Sequence, residues 1–225
     1  MLDALYGEFL IIPIPVQLKG SYCSHGCPYC YANLNLPTRK IDLRKTLNQI
    51  AGIYKNENLL SYLLRDQYPV LVSNHSDPFS LSNRGVLPRL IEQMGEMEIP
   101  VFIQTRGGDE DAIASVLNTL PSSVWYISMP HSNDRTRQEI EPIAPSYESR
   151  VELIKELSSK GHGVIVGINP LVPEWMEDRD KMLREIKELG IKDLAIEIMH
   201  LSRNQKENMK RHEKIRLGDR QWKSS

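Results

Sequence analysis

The sequence contains 225 residues, of which 40% are apolar and 25% charged, proportions that are ordinary for a globular protein. Lysine and arginine number 28 against 29 acidic residues, so the overall charge gives no argument for a polyanionic partner. The charge is uneven, because residues 202–225 carry eight basic and three acidic side chains. We expect residues 1–225 to form a single domain, in which about 202–225 is a basic tail, helical or frayed at its end.

No segment of the chain indicates a membrane span or an export signal. The most apolar early stretch, Phe9–Val16, is too short to cross a bilayer and contains Pro13 and Pro15. The three cysteines lie close together, and their odd number does not favour a disulfide framework. We therefore expect no membrane partner and a reducing, cytoplasmic location.

Apolar runs rich in β-branched residues alternate with amphipathic segments. Short, continuously apolar runs are typical of strands covered on both faces, and the segments between them have helical spacing. The predicted strands are Phe9–Leu18, Val70–Asn74, Val101–Thr105, Val124–Ser128, Gly163–Ile168 and Leu194–Ile198. The apolar positions that share a helix face are Leu87, Leu90, Ile91 and Met94, then Ala112, Val116 and Leu117, then Val151, Ile154 and Leu157, and finally Met182, Leu183, Ile186 and Leu189.

Helix ends are marked by Gly161 and Gly190, which are placed as C-terminal caps, and by Ser146, a plausible N-terminal cap. A βα unit repeated six times predicts an α/β fold with right-handed crossovers and a parallel sheet. The pattern leaves open whether this sheet curls into an open barrel or lies flat and doubly wound. In both cases the functional edge is the carboxyl end of the strands.

The motif that carries chemistry is Cys23-x3-Cys27-x2-Cys30, directly after the first predicted strand. Three thiolates on a short loop can bind three corners of a [4Fe–4S] cluster, because cysteine is its usual ligand. Such a cluster keeps one iron open for a substrate or cofactor. Gly26 and Pro28 permit the sharp backbone path that the spacing requires.

Two other uses of the cysteines compete with a cluster. A structural zinc site would need a fourth ligand from far along the chain, such as His75 or His131. A redox disulfide between Cys27 and Cys30 would leave the third cysteine and the intervening Pro-Tyr unexplained. The spacing therefore favours the cluster, with zinc as the main alternative.

The motif and its setting resemble the radical S-adenosylmethionine (SAM) superfamily, and within it the spore photoproduct lyase-like branch. The resemblance spans roughly Phe9 to Leu201. Beyond the cysteines it rests on Ser76-Asp77-Pro78, Thr105-Arg106, Ser128, and Glu141-Pro142 through Arg150, which occur in the same order. It implies a partial (β/α)6 barrel with parallel strands and with the cluster on the loop after strand one.

The resemblance implies a radical SAM enzyme that reductively cleaves S-adenosylmethionine at the cluster to a 5′-deoxyadenosyl radical, which abstracts hydrogen from an unassigned substrate. An electron donor such as flavodoxin or ferredoxin would reduce the cluster. The cofactor-binding residues that it implies are Tyr29, Ser76, Asp77, Arg106, Ser128 and Arg150. Each also has a structural interpretation: packing for Tyr29, a strand-ending turn for Ser76 and Asp77, a solvated turn for Arg106, and a capping hydroxyl for Ser128.

Arg150 has a separate argument, because helical spacing places it on the inward face with Ile154 and Leu157. An inward arginine needs an anion, which would be either the cofactor carboxylate or Glu141. Tyr31, after the last cysteine, faces the active site in the resembling branch. The other candidate substrate-facing residues, which are equally well interpreted as structural, are His131, Glu197 and His200, and the mouth loops would be His131–Glu141 and Val172–Asp178.

One position departs from the branch. Asn74 stands where spore photoproduct lyases carry the cysteine that returns hydrogen to the product radical, and the branch's extended DNA-engaging C-terminal part is not expected here. We therefore do not expect true spore photoproduct lyase activity. Modification or repair of a nucleobase or nucleic acid is an alternative function, which the basic tail supports. A zinc-stabilised, non-enzymatic binding module is the alternative from another class.

Overall fold

A computed structural model describes residues 14–16, 18, 23–32, 43–52, 54–72, 75–199, 201–212, 215 and 217. Six strands form one sheet in chain order, and all five pairings between neighbours are parallel. Within this part of the chain the first and last strands do not pair, so the sheet is open. The strands are β1 (Ile14–Val16), β2 (Val70–Val72), β3 (Val101–Thr105), β4 (Val124–Ser128), β5 (Gly163–Leu171) and β6 (Asp193–Ile198).

Helices connect the strands and cover most of one face of the sheet. They are α1 (Leu43–Ala51), α2 (Leu59–Arg65), α3 (Leu87–Glu96), α4 (Glu110–Thr119), α5 (Asp134–Ile140), α6 (Tyr147–Ser159), α7 (Arg179–Glu188) and α8 (Arg203–Lys210). Two short 3₁₀ helices, Leu81–Asn83 and Pro173–Trp175, lie in the loops after β2 and β5. No helix in the described ranges combines the length and apolar character needed to cross a membrane.

The opposite face of the sheet is concave and encloses a small apolar layer. Leu71, Phe102 and Tyr126 pack together on this inner face, with Ile165 and Ala195 against them. These side chains come from five successive strands, so the layer runs across the sheet from β2 to β6. The predicted α/β fold, a partial (β/α)6 barrel with parallel strands, is confirmed.

The helix faces pack as predicted, with one exception. Leu90, Met94, Val116, Ile154 and Met182 are fully buried in the main core, which lies between the helices and the outer face of the sheet. Leu183 was expected to share that face, but its side chain is 41% exposed. It follows Met182 directly, and a rotation of about 100° per residue carries it out of the core.

The caps also follow the prediction. Gly161 and Gly190 end α6 and α7 with positive φ angles of 80° and 74°, a conformation that residues with a Cβ atom rarely adopt. Ser146 precedes α6, and its side chain accepts a hydrogen bond from the Ser149 backbone amide.

The last strand does not fit the expectation that the strands are covered on both faces. Leu194, Ile196 and Ile198 of β6 are 43%, 60% and 64% exposed, because no described helix packs over their side of the sheet. The apolar run predicted a buried strand, whereas β6 is the exposed edge of the sheet. Leu194 nevertheless pairs with Val166, so the strand itself was correctly located.

Candidate active site

A cavity of about 530 Å³ opens at the carboxyl ends of the strands, on the concave face. Its lining combines the cysteine loop with strand ends from across the sheet. The lining residues are Cys23, His25, Gly26, Cys27, Tyr29, Cys30, Tyr31, Ala32, His75, Ser76, Asp77, Gln104, Arg106, Ser128, Asn169, Pro170, Glu197, Ile198, Met199 and Gln205. All three cysteines therefore face the same space as five of the six predicted cofactor-binding residues.

The cysteine loop consists of two consecutive turns. The Gly26 amide donates to the Cys23 carbonyl at 3.2 Å, and the Cys30 amide donates to the Cys27 carbonyl at 3.0 Å. Gly26 joins the two turns at φ +60°, a left-handed conformation that explains the glycine between the first and second cysteines. All three cysteines are free thiols.

Distant elements hold this loop in place. From α8, the amide side chains of Gln205 and Asn208 donate to the carbonyls of Tyr29 at 2.7 Å and Pro28 at 2.8 Å. On the other side of the loop, the backbone amide of Asp77 lies 3.4 Å from the Cys23 sulfur and donates to it. The helical part of the basic tail is thus a structural support of the cysteine loop, and the tail is not merely a frayed end.

The thiols have the burial and the neighbours that a cluster site needs. Burial raises the pKa of the Cys23 thiol and, more strongly, of the Cys27 thiol, while the Arg106 guanidinium acts in the opposite direction on both. Bound metal removes this penalty, because it ligates the thiolate directly. An amide that donates to a ligating sulfur, as Asp77 does to Cys23, is a common feature of iron–sulfur sites. The donor set therefore fits a cluster.

The described residues fit a single metal ion less well than they fit a cluster. Among the described residues, no group of three or more His, Cys, Asp or Glu side chains converges on one point that could hold an ion. Zinc requires such convergence at about 2.0–2.3 Å. The corners of a cubane cluster are separate atoms, so three thiols facing a shared cavity suffice for it.

Behind the loop, the completely buried Glu141 is the centre of an ionic cluster. Its two carboxylate oxygens bind Arg106 Nε and Arg150 Nη2, each at 2.5 Å, and the Tyr29 hydroxyl donates to Oε1. His131 Nε2 lies 3.4 Å from Oε2. Burial acts to raise the pKa of Glu141, but the two guanidiniums outweigh burial and hold that pKa well below its usual range.

Asp77 is a second buried acceptor. Its carboxylate accepts from the Thr105 hydroxyl at 2.7 Å and the backbone amides of Arg106 at 2.7 Å and Phe79 at 3.0 Å. His25 Nε2 is 3.5 Å away. Burial opposes ionisation, but His25 and the hydrogen bonds together lower the pKa of Asp77. The carboxylate therefore ties the ends of β2 and β3 to the cysteine loop.

The structure separates the predicted residues into two groups. Tyr29, Ser76, Asp77, Arg106 and Ser128 line the cavity. Arg150 does not: it is completely buried, donates to the Ser128 carbonyl at 2.7 Å, and pairs with Glu141, the structural partner that the sequence left open. Asn74 and His200 lie outside the described residues.

The predicted mouth loops do not form the mouth. Residues 134–140 fold into α5, and His131 is completely buried beside Glu141 and does not reach the cavity. Trp175, in the second loop, is also completely buried and packs on Tyr29 with ring centroids 5.3 Å apart. Both segments were predicted as loops of the barrel mouth, and Glu141 and Trp175 from them instead contact Tyr29 of the cysteine loop.

Sequence reasoning missed several lining residues, chiefly Gln104, Asn169, His25 and Gln205. The first two lie on the inner face near the carboxyl ends of β3 and β5. Period-2 alternation along strands whose functional edge was already known would have indicated them. Gln205 gave no such signal, since it reaches the site from the tail. Glu197, left open as a substrate-facing residue, does line the cavity.

No protein-family model matches the chain. The chain is 22% identical over 198 residues to an uncharacterised protein, ORF301, of Acidianus two-tailed virus, covering 79% of this chain and 64% of that protein. It is 26% identical over 159 residues to a radical SAM Nα-GlyT isomerase of Pseudomonas phage M6, covering 68% of this chain and 32% of that one.

Solved structures with a similar fold are also found. A spore photoproduct lyase variant with dinucleoside spore photoproduct superposes with a TM-score of 0.62 at 19% identity, covering 92% of this chain and 62% of that one. SuiB of Streptococcus suis bound to S-adenosylmethionine gives 0.58 at 11%, covering 88% and 42%. The chain spans less than two thirds of the length of each of these proteins.

The fold is an open parallel α/β barrel similar to those of spore photoproduct lyase and SuiB, and the sequence is also similar to that of a phage radical SAM isomerase. The predicted resemblance to the radical SAM superfamily is confirmed, and spore photoproduct lyase is among the structural neighbours, as the predicted branch requires.

Proposed function

We propose that this protein is a radical SAM enzyme that holds a [4Fe–4S] cluster on Cys23, Cys27 and Cys30. The observation that carries the proposal is that three free thiols line one cavity at the functional edge of this fold. A bound, reduced cluster supplies the electron that cleaves S-adenosylmethionine to methionine and a hydrogen-abstracting 5′-deoxyadenosyl radical. SuiB and a spore photoproduct lyase variant have both been solved with that cofactor.

Several residues of this chain are proposed to bind S-adenosylmethionine or to position the groups that bind it. Arg106 uses Nε on Glu141 and Nη2 on Tyr29, while its Nη1 has no hydrogen bond to any described residue. We assign Nη1 to the cofactor carboxylate, which suits a guanidinium. Tyr29, Ser76 and Ser128 are proposed to complete the cofactor site. Asp77 and Arg150 are proposed to act indirectly, because Asp77 binds the Arg106 backbone amide and Arg150 binds Glu141.

The test is anaerobic reconstitution with iron and sulfide, followed by dithionite and S-adenosylmethionine. We expect 5′-deoxyadenosine from the wild type and none from a Cys23→Ala/Cys27→Ala/Cys30→Ala variant. If the wild type binds iron and sulfide stoichiometrically but forms no 5′-deoxyadenosine, the enzymatic proposal fails.

For the substrate class, we propose a nucleobase in a nucleotide or nucleic acid. Support comes from the relatives, since one structural neighbour holds a dinucleoside spore photoproduct and one sequence relative is a Nα-GlyT isomerase. Binding to single-stranded DNA and RNA should weaken as salt rises, because phosphate contacts release counterions. SuiB has been solved with a precursor peptide, so binding to peptides and not to any nucleic acid would contradict this class.

The reaction itself is proposed to differ from spore photoproduct lyase, because Asn74 cannot return a hydrogen atom as a cysteine does. Incubation of the reconstituted protein with a dinucleoside spore photoproduct should therefore release no thymidine monomers. Asn74→Cys is the matched variant, since it restores the donor. Repair by the wild type would contradict this assignment.

The zinc-stabilised binding module remains the competing function, and metal analysis separates the two. Protein purified anaerobically should be brown and contain iron and sulfide. A colourless protein that holds one zinc after faithful reconstitution would support the module.

For the enzyme, we propose a flavodoxin or ferredoxin as the electron donor and the cytoplasm as the location, because a low-potential cluster needs both a reductant and reducing surroundings.

A further inference from the structure

The wall of the cavity opposite Arg106 is formed by Asn169, Pro170, Glu197, Ile198 and Met199, from the ends of β5 and β6. We call these residues the strand wall. Asn169 Nδ2 donates to Glu197 Oε2 at 2.6 Å, and Glu197 itself is exposed to the cavity mouth. No other hydrogen bond or ion pair to Glu197 exists within the described ranges, so its Oε1 is an acceptor without a donor among these residues.

Inner-face residues fix the position of this carboxylate. Tyr126 lies on the same inner face, on the neighbouring strand β4; burial raises its pKa, and Arg106 and the Asn169 side chain act in the opposite direction. Tyr126 lies directly over Gly167, where an added Cβ would stand only 1.9 Å from the ring. Gly167 and Ala195 therefore leave room in this layer for the tyrosine ring. The hydrogen bond from Asn169 is the contact that positions Glu197 within the described part of the chain.

An aromatic ring lines the same cavity as this carboxylate. Tyr31 is 48% exposed, and it faces the same space as Glu197. A carboxylate beside an exposed aromatic ring is a fitting environment for a planar group that stacks and donates N–H hydrogen bonds.

We propose that Glu197, held by Asn169, is a substrate-recognition residue that accepts a hydrogen bond from an N–H group on the edge of a nucleobase. This inference rests on the proposed substrate class and names the part of the base that the site reads. A phosphate is disfavoured at this position, since a carboxylate with no cation beside it repels anions. Backbone phosphates of the substrate would therefore lie outside the strand wall.

The experiment is a double-mutant cycle between protein and base. Reconstituted wild type and Glu197→Ala are titrated with short single-stranded oligothymidylate and oligodeoxycytidylate. The same titrations use the analogues that lack the donor, N3-methylthymine and N4,N4-dimethylcytosine. For at least one base, methylation should weaken wild-type binding about tenfold, the usual effect of losing a hydrogen bond to a charged group. It should not weaken binding to Glu197→Ala further.

Two controls test whether the effect of Glu197→Ala is specific to base recognition. Glu188→Ala removes an exposed carboxylate from α7, away from the cavity, and should bind every oligonucleotide as the wild type does. The affinity for S-adenosylmethionine, measured by equilibrium dialysis, should be the same in Glu197→Ala as in the wild type. A loss of cofactor affinity would instead assign the carboxylate to the cofactor and overturn the inference.

The remaining outcomes are distinguishable. If the wild type binds the oligonucleotides and methylation weakens both proteins equally, Glu197 does not read the N–H edge, while the nucleobase proposal survives. If the wild type binds none of the oligonucleotides, the substrate class itself is wrong and this inference is overturned with it.

Discussion

The cysteine loop together with Tyr29, Arg106 and Glu141, here called the loop wall, differs from the strand wall in how its polar groups are satisfied. On the loop wall, the Glu141 carboxylate is completely buried and bound by two guanidiniums and a hydroxyl. On the strand wall, Glu197 is exposed and has one amide partner in the described part of the chain. A wall whose carboxylate is already paired can hold the Arg106 guanidinium, and through it a cofactor, in a fixed place. A wall with an unpaired acceptor can discriminate between substrates by hydrogen bonding.

The largest effect that this comparison predicts is at the cysteines. Cys27→Ala removes a ligand from the buried centre of the loop wall, so the protein should retain little iron and form no 5′-deoxyadenosine. Iron and sulfide analysis after reconstitution provides the measurement. Ser24→Ala, in the same loop, removes only the hydrogen bond to the Ser82 amide and should still reconstitute. Full iron content in Cys27→Ala would exclude a three-cysteine site.

The next largest effect concerns stability. Glu141→Gln leaves the completely buried Arg150 and the partly buried Arg106 without their anion, which should lower the free energy of unfolding by about 3–5 kcal/mol. Urea denaturation of the metal-free protein measures this. The matched control is Glu152→Gln, which breaks an exposed pair with Lys155 and should cost less than about 1 kcal/mol. Equal costs for the two variants would show that the loop wall is not held by its buried charge.

The same carboxylate predicts a pH dependence. Because the folded protein holds the pKa of Glu141 well below its ordinary value of 4.5, ionisation contributes stability that is fully present above that pH. The contribution is lost as pH falls below 4.5 and through the depressed folded pKa. Unfolding free energies measured from neutral pH downward should therefore fall more steeply in the wild type than in Glu141→Gln. Parallel curves would contradict the assignment of the acid sensitivity to this residue.

The inner-face layer next to the strand wall should be sensitive to added side-chain volume. Gly167→Ala places a methyl group against the Tyr126 ring, and overpacking of this kind costs about 1–3 kcal/mol. Tyr126→Ala removes the obstacle, so the double variant should lose less stability than the sum of the two single variants. Urea denaturation of all four proteins gives the coupling. Additive losses would mean that the ring does not depend on the glycine.

These two walls were not equally accessible to sequence reasoning. Cys23, Cys27 and Cys30 are close in sequence, and their spacing alone predicts a shared site. Strand-end residues such as Arg106 and Ser128 were predicted from the resemblance to the radical SAM superfamily, and the parallel sheet brings them to the same edge as the cysteines. The buried pairing of Glu141 with Arg150 was one of two open alternatives, because helical spacing places Arg150 inward without specifying its partner.

Other features could not be predicted, because their signal is tertiary. Helix α5 has the sequence Asp-Arg-Thr-Arg-Gln-Glu-Ile, which contains no apolar stripe and gives no helical periodicity. The exposed apolar face of β6 contradicted a pattern that normally means burial. Gln205 reaches the carbonyl of Tyr29 from 176 residues away in sequence, and only the folded chain brings the two together.

The support of the cysteine loop by α8 gives the smallest predicted effect and the sharpest test of that tertiary contact. Asn208→Ala removes the hydrogen bond to the Pro28 carbonyl, and a typical net loss of about 1 kcal/mol is expected. Because the contact joins α8 to the turn that contains Cys27 and Cys30, amide hydrogen exchange should rise in that turn and not in β4, at the centre of the sheet. Arg203→Ala, on the exposed side of α8, breaks only a surface pair with Glu207 and should leave exchange in the turn unchanged. If both variants behave alike, α8 does not brace the loop, and the basic tail would be the solvated appendage that its composition first indicated.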